Sequence, residues 1–204
     1  TWPFVSDLRT GAMSGGSGEQ GLLTAACAQM LQYYRLPGGA ASGMADAKMP
    51  DAQSGYEKGS TLVMAGLSGL NMVYEAAGMH ASLLGFCLES LIIDNDMLGQ
   101  CLRCVRGIEV NDDTIGIQVM KDVCMGGPGH YLGHEQTIGL MQTEYAYPQL
   151  SDRSSPKEWE ELGKPNLVAE AVKRKMQILS DFHPQHIPVD LDAHLRATYD
   201  IRLG

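Results

Sequence analysis

The chain has 204 residues, of which 44% are apolar and 19% charged, and carries a net charge of -9 at pH 7. It is too apolar for a disordered chain, and the acidic balance argues against docking on a phosphate backbone, so no nucleic-acid partner is expected. The length fits one domain with a substantial core.

Residues 2–5 place Phe4 and Val5 after a proline and predict a short strand. A loop follows from Arg9 to Gly18. Ser17 and Gln20 have capping-box spacing and open a helix over 19–34. Leu22, Leu23, Ala26, Met30 and Tyr33 recur at helical spacing and predict its buried face. Residues 38–46 read as a small-residue strand. Pro50-Asp51 opens a second helix that runs to residue 68. Leu70 to Val73 reads as another short apolar piece, and 75–80 as a loop.

Residues 87–106 form the clearest periodic helix, through Leu88, Leu91, Ile92, Asn95, Leu98, Leu102 and Val105. A further helix is expected over 112–124, stopped by the glycines from Gly126 onward. Thr137 begins another, and 145–156 read as a connector. Asn166 caps a helix that reaches Phe182, with Val168, Val172, Met176 and Leu179 as its inner stripe. A last helix is expected over 190–198.

Strand-like pieces alternating with helices predict an α/β fold, a TIM-type (β/α) barrel. A whole barrel takes about 250 residues. The chain opens without Met, so the expectation is a partial barrel cut from a longer protein. All but two of the 24 glycines lie before residue 150. Residues 1–150 therefore read as βα units with active-site loops, and 151–204 as outer helices and tail of the same domain.

The five cysteines, Cys27, Cys87, Cys101, Cys104 and Cys124, are odd in number and lie in apolar surroundings. They predict reduced thiols and a cytoplasmic location. Cys101 and Cys104 sit inside an apolar helix and read as core thiols. The longest apolar stretch, Thr61 to Tyr74, is broken by Asn71 and is too short to span a bilayer, so no membrane association is expected.

Four groups of residues stand out chemically. His130 and His134 follow a Gly-Gly-Pro-Gly run and would share a face if helical. They read as structural histidines, as a substrate- or proton-handling pair, or as zinc ligands. No metalloprotease glutamate lies between them, and the reading adopted has no bound metal. Asp46 and Glu75 stand where strands give way to loops, the ends that face the active site of a barrel. Asp94-Asn95-Asp96 interrupts an apolar helix, so one of these side chains needs a partner or reaches into a site. Arg9 fits either a corner salt bridge or a substrate carboxylate.

Five stretches then line up in order: 43–58 (GMADAKMPDAQSGYEK), 71–79 (NMVYEAAGM), 89–95 (ESLIIDN), 129–137 (GHYLGHEQT) and 178–192. Together they resemble the trimethylamine methyltransferase (MttB-like) family, over nearly the whole chain and in its C-terminal portion. The resemblance implies a TIM-type barrel and a corrinoid-dependent methyl transfer. In such systems a methylated amine gives its methyl group to Co(I) of a cognate corrinoid protein. The corrinoid is thereby implied to ride on that partner, not on this chain.

Archaeal trimethylamine enzymes carry pyrrolysine, which is absent here. The chain is therefore more similar to the non-pyrrolysine branch, where glycine betaine or a related quaternary amine is the known kind of substrate. On this reading His130, His134 and Asp46 are the candidate catalytic residues. Tyr56, Tyr74 or Trp2 offers an aromatic face to the ammonium. Glu75, Glu89 and Asp94 are the candidate carboxylates, while Arg9 and His80 are placed at a substrate carboxylate. Two alternatives stay open: a zinc-assisted barrel lyase or hydrolase using His130 and His134, and a noncatalytic structural fragment. Exposed sheet edges on a partial barrel would need cover, and a homo-oligomer is expected to supply it.

Overall fold

Ser17 opens the first helix: its hydroxyl accepts from the Gln20 amide, and α1 runs Gly18–Tyr33. The computed structural model describes residues 2–182, 184 and 186–201. His183 and Gln185, inside the family-like stretch 178–192, lie outside the described residues. After α1 the chain forms β1 (Gly39–Ala41), α2 (Ala52–Leu67) and β2 (Met72–Tyr74). The strands pair in parallel, in the register Gly39–Met72, Ala40–Val73 and Ala41–Tyr74. This is one βαβ unit, with α2 as the crossover.

β3 (Met79–His80), at the end of the stretch expected to be loop, and β4 (Gly85–Phe86), just after it, form an antiparallel pair. Its turn places Ala81 and Ser82 in left-handed conformations, at φ 48° and 60°. α3 follows as Leu88–Arg106 and stops at Gly107, where φ is 72°. The helix expected over 112–124 is two helices, α4 (Asp112–Ile115) and α5 (Ile117–Cys124). Gly116 separates them at φ 66°, which ends one helix before the next begins. Next come α6 (Glu135–Leu140), α7 (Pro156–Glu161), α8 (Leu167–Asp181) and α9 (Val189–Thr198). α7 lies at the end of the stretch read as connector and has a Ser155–Glu158 capping box.

The expected TIM-type barrel is not there, whole or partial. The described residues hold two separate two-stranded sheets, one parallel and one antiparallel. A barrel closes by continuous lateral pairing of many strands. Among the described strands β1 and β2 pair with each other in a sheet of two, and beyond β4 the described regular elements are all helices. Residues 2–5, expected as an opening strand, form none; just beyond them an isolated bridge joins Ser6 and Met13.

The helices also bury other faces than their apolar periodicity predicts. On α1 the buried residues are Gln20, Gly21, Thr24 and Ala28, while Leu22, Leu23, Met30 and Tyr33 are exposed. Small residues let α1 and α2 approach closely: a Cβ on Gly21 would lie 3.2 Å from Met64 Sδ. On α3 the buried residues are Ser90, Asp94 and Cys101, and the stripe at Leu88, Leu91, Leu102 and Val105 is exposed. On α8 Ala171 is buried, and Met176 and Leu179 are exposed. α2 packs between α1 and α3, and α3 packs on α8. No helix among the described residues is long and apolar enough to cross a membrane.

Candidate active site at the strand ends

In parallel α/β sheets, ligands gather at the carboxyl ends of the strands. Here those ends are the loop after Ala41 and the loop after Tyr74. Two consecutive residues of α2, Glu57 and Lys58, hold one loop each. Glu57 Oε2 accepts from the Asp46 amide at 2.7 Å and the Ala47 amide at 3.3 Å, and Gln53 donates to its other oxygen. Lys58 is fully buried and donates to Asp94 Oδ2 at 2.6 Å. The same oxygen accepts from the Gly78 amide at 2.7 Å, so the Lys58–Asp94 pair fixes the end of the second loop.

Asp46 ties the opening segment to these loops. Its Oδ2 accepts from Ser14 Oγ at 2.8 Å, and its Oδ1 from the Gly16 amide at 3.2 Å. The Ser82 hydroxyl lies 2.7 Å from Oδ1 and also takes the Gly15 amide, so the β3–β4 turn joins the same knot.

His80 is buried, with Nδ1 3.2 Å from the Ala47 carbonyl and Nε2 2.5 Å from Ser90 Oγ. A carbonyl only accepts, so Nδ1 carries the proton and the neutral ring accepts from Ser90. Burial, then the nearby Lys58 charge, push the His80 pKa below 6.5 despite the Ala47 carbonyl and the Asp94 and Asp51 charges. The chemistry here is that of a positioned neutral imidazole, with both nitrogens used.

Glu75 stands apart. It has φ 60°, a left-handed conformation rare for a side-chain-bearing residue. Its Oε2 is buried without a hydrogen-bond partner, as is Ser42 Oγ at the end of β1. Tyr74, just before it, packs against Trp2 with ring centroids 5.4 Å apart, and Trp2 meets Phe4 edge-on at 6.0 Å. Among the described polar side chains, only these two strand-end residues offer a buried atom left unpaired.

The structure thus gathers Asp46, Tyr74, Glu75, His80 and Asp94 at the strand ends and in the elements behind them. The other expected site residues fall elsewhere or are already engaged. Arg9 is exposed and forks onto Asp7 through Nε at 3.1 Å and Nη2 at 2.6 Å. That contact holds the Asp7 pKa down at about 2 and raises that of Arg9. Tyr56 stands exposed on α2. Glu89 pairs with Lys175 of α8 and accepts from Cys87, so it joins helices.

His130 and His134 do not share a helical face. His130 lies exposed in an irregular loop, and His134 is the N-cap of α6, where Nδ1 accepts from the Gln136 amide at 3.2 Å. The glycines of 126–129 keep this stretch out of helix. No group of three or more His, Cys, Asp or Glu residues suited to a metal ion occurs among the described residues. Of the two expected core thiols, Cys101 is buried and Cys104 is exposed. Burial, with Cys104 nearby, raises the Cys101 pKa.

Sequence reasoning missed Ser42 and Lys58 as parts of this centre and counted Glu57 among the acidic residues without giving it a role. Ser42 carried no signal in a run of small residues. Lys58 gave no signal of burial, although a buried Lys on α2 and a buried Asp on an apolar α3 are each other's explanation.

The family model for trimethylamine methyltransferase (MTTB) matches residues 1–202. A glycine betaine methyltransferase of Desulfitobacterium hafniense (strain Y51) is 34% identical over 193 residues, covering 95% of this chain and 40% of that protein. A trimethylamine methyltransferase MttB from the DCB-2 strain of the same species is 32% identical, covering 95% of this chain and 38% of that protein. The MttB of Methanosarcina thermophila is 33% identical over 191 residues, covering 94% and 39%. The chain therefore spans about two fifths of the length of these relatives. With residues 1–202 of the 204 matched, the chain belongs to the trimethylamine methyltransferase (MTTB) family.

Proposed function

We propose that this protein takes part in moving a methyl group from a quaternary or tertiary methylamine to Co(I) of a partner corrinoid protein. The observation that carries the reading is the strand-end centre, where Tyr74, its ring tilted against that of Trp2, immediately precedes half-buried Glu75 with its buried, unpaired Oε2. A carboxylate beside aromatic faces suits a methylated ammonium. Family membership supplies the reaction class: the relatives named above are methyltransferases for glycine betaine and trimethylamine. We place the chain in the non-pyrrolysine branch, since the residue is absent from its sequence.

In this reaction Co(I) supplies the electron pair of the new cobalt–carbon bond. The carbon–nitrogen pair leaves on nitrogen, so a quaternary ammonium departs as a neutral amine and needs no acid. The protein's tasks are to hold the cation, orient the methyl group and exclude water. In this arrangement Tyr74 and Glu75 contact the ammonium. Asp46, Glu57, Lys58, His80 and Asp94 are positioning residues for the loops that carry them. The corrinoid belongs to the partner. The exposed apolar stripes of α1, α3 and α8 support contacts with that partner or with further copies of the chain. Five free cysteines fit a reducing, cytoplasmic setting.

The test is cobalt methylation. The full chain is mixed under reducing conditions with a Co(I) corrinoid protein and trimethylamine, glycine betaine, choline or tetramethylammonium, and the cobalt spectrum is followed. Conversion with at least one amine is expected. No conversion with any of them, using corrinoid protein that a known relative does methylate, rejects the reading.

A further inference from the structure

Asp96 draws a strap of irregular chain, residues 149–151, onto α3. Its Oδ1 accepts from the Gln149 amide at 2.7 Å, and its Oδ2 from the Leu150 amide at 3.3 Å and from the amide and hydroxyl of Ser151 at 2.9 Å each. Two further polar clasps fix the neighbouring elements. Glu89 ties α3 to Lys175 of α8, and Asp94 holds the Gly78 amide at 2.7 Å, at the end of the loop after β2. The elements so fixed border a cavity of about 770 Å³. Its apolar walls are Leu91, Ile92 and Leu98 of α3, Ile178 of α8, Leu150 of the strap and Ala77 of the loop. That size and lining suit a small-molecule site, where an apolar body is covered and a few polar groups fix its orientation.

The polar groups left open on this cavity favour an anion. Lys173, Arg174 and Lys175 are consecutive on α8. Lys173 pairs with Glu170 and Lys175 with Glu89, whereas Arg174 has no carboxylate partner among the described residues. Its side-chain bond runs from Nη1 to Gln177 Oε1 at 2.9 Å, which leaves Nε and Nη2 open. Arg174 is exposed and lines the cavity, so its guanidinium stands at the mouth. The side-chain amides of Asn95 and Gln149 line it as well and make no hydrogen bond among the described residues. Asp96 is the one carboxylate on the lining, and four donors already engage it. Burial works against its charge, but the Gln149 and Ser151 amides and the Ser151 hydroxyl hold its pKa below the ordinary value.

We propose that this cavity binds an apolar monocarboxylate, a medium-chain or aryl-substituted acid, with the carboxylate on Arg174 and the hydrocarbon body between α3 and α8. A carboxylate offers two acceptors to the guanidinium fork and to the open amides of Asn95 and Gln149. A cation would be repelled by Arg174. A sugar or a phosphate would leave polar groups unpaired against leucine and isoleucine. The site is independent of the methylamine reading, since neither Tyr74 nor Glu75 lines it.

The test is calorimetric titration of the full chain with octanoate and 4-phenylbutyrate, beside octanol and 4-phenylbutanol as matched alcohols. Each acid binds one to one and about tenfold or more tighter than its alcohol. Arg174→Gln brings acid and alcohol to within about twofold of each other. Asn95→Phe, at an exposed position whose new ring fills the cavity, abolishes binding of both without lowering the melting temperature. In nuclear magnetic resonance the acids shift the Leu150 and Ile178 methyl signals and the Ala77 amide. Acids that bind no tighter than their alcohols, acid affinity unchanged in Arg174→Gln, or many weak sites in place of one overturn the proposal. So does an oligomer in sedimentation that Asn95→Phe dissolves, because another chain then fills the cavity. The titration needs no cobalt, so its failure and failure of the methylation assay are told apart.

Discussion

Lys58 Nζ and Asp94 Oδ2 meet 2.6 Å apart between α2 and α3, with side-chain exposures of 0% and 5%. Asp94 passes the constraint on to the Gly78 amide. An ion pair buried this deeply positions a loop more than it stabilises the fold, because both charges have left water. Removing one partner is a different matter, since the other is left buried and alone. Lys58→Met is expected to destabilise the protein by about 3–5 kcal/mol. The double variant Lys58→Met, Asp94→Leu should recover much of that loss while leaving the Gly78 amide unpaired. Chemical denaturation of the two variants checks this. A double variant no better than the single one would show that the pair itself stabilises the fold.

Acid should release α8. Lys175, then the Glu89 amide and Cys87, hold the Glu89 pKa at about 2, below its ordinary 4.5. A carboxyl group with a lowered pKa in the folded state stabilises fully above 4.5. That contribution fades as the pH falls from 4.5 through about 2. Amide exchange along α8 should accelerate across this window, and Glu89→Gln should flatten the response. The same acid dependence in Glu89→Gln would assign the effect to another group.

His80 makes a second pH dependence, nearer neutrality. Its folded pKa lies below 6.5, so the unfolded chain takes the proton more readily. Stability is then full above 6.5 and falls as the pH drops from there toward the lowered value. Ser90→Ala leaves Nε2 buried without its donor and should cost about 1–3 kcal/mol at neutral pH. Denaturation midpoints between pH 8 and pH 5 check both statements. A His80→Asn variant with the parent's slope over that range would remove His80 as the source.

Asp46 should act on order more than on overall stability. It binds Ser14 and the Gly16 amide and lies against Ser82. Asp46→Ala is expected to speed exchange of the Gly16 amide and to loosen the segment that brings Trp2 onto Tyr74, with a lowered affinity for methylammonium. Nuclear magnetic resonance follows both. Unchanged exchange at Gly16 would show that the backbone holds this segment without Asp46.

The helices were largely legible in the chain. Ser17, Asp51 and Asn166 all cap helices whose starts their position predicts. Capping is local chemistry, read within three or four residues. The family was legible as well, because the stretches at 43–58 and 71–79 are long and ordered. The two short sheets were not. Three-residue strands such as Gly39–Ala41 carry no alternation to detect, and a β3–β4 pair of two residues each has less. The barrel was inferred from a rhythm of elements, but closure depends on a continuous row of paired strands, and the described residues form two separate two-stranded sheets.

For the site, the sequence picked out Asp46, Glu75, His80 and Asp94 as residues that needed a reason, without saying which reason. It determined by itself the starts of the capped helices α1, α2 and α8, the family and the carboxylates at the strand ends. Only the tertiary structure decided which helix faces turn inward and which of those carboxylates are already spent. Apolar periodicity marked Leu91, Leu102 and Val105 as the inner line of α3, yet the chain buries Ser90, Asp94 and Cys101. Burial of a polar face depends on finding a partner on another element, and Lys58, thirty-six residues away on α2, is that partner for Asp94. Glu75 Oε2 has none among the described residues, and a missing partner becomes visible only once the others have been placed.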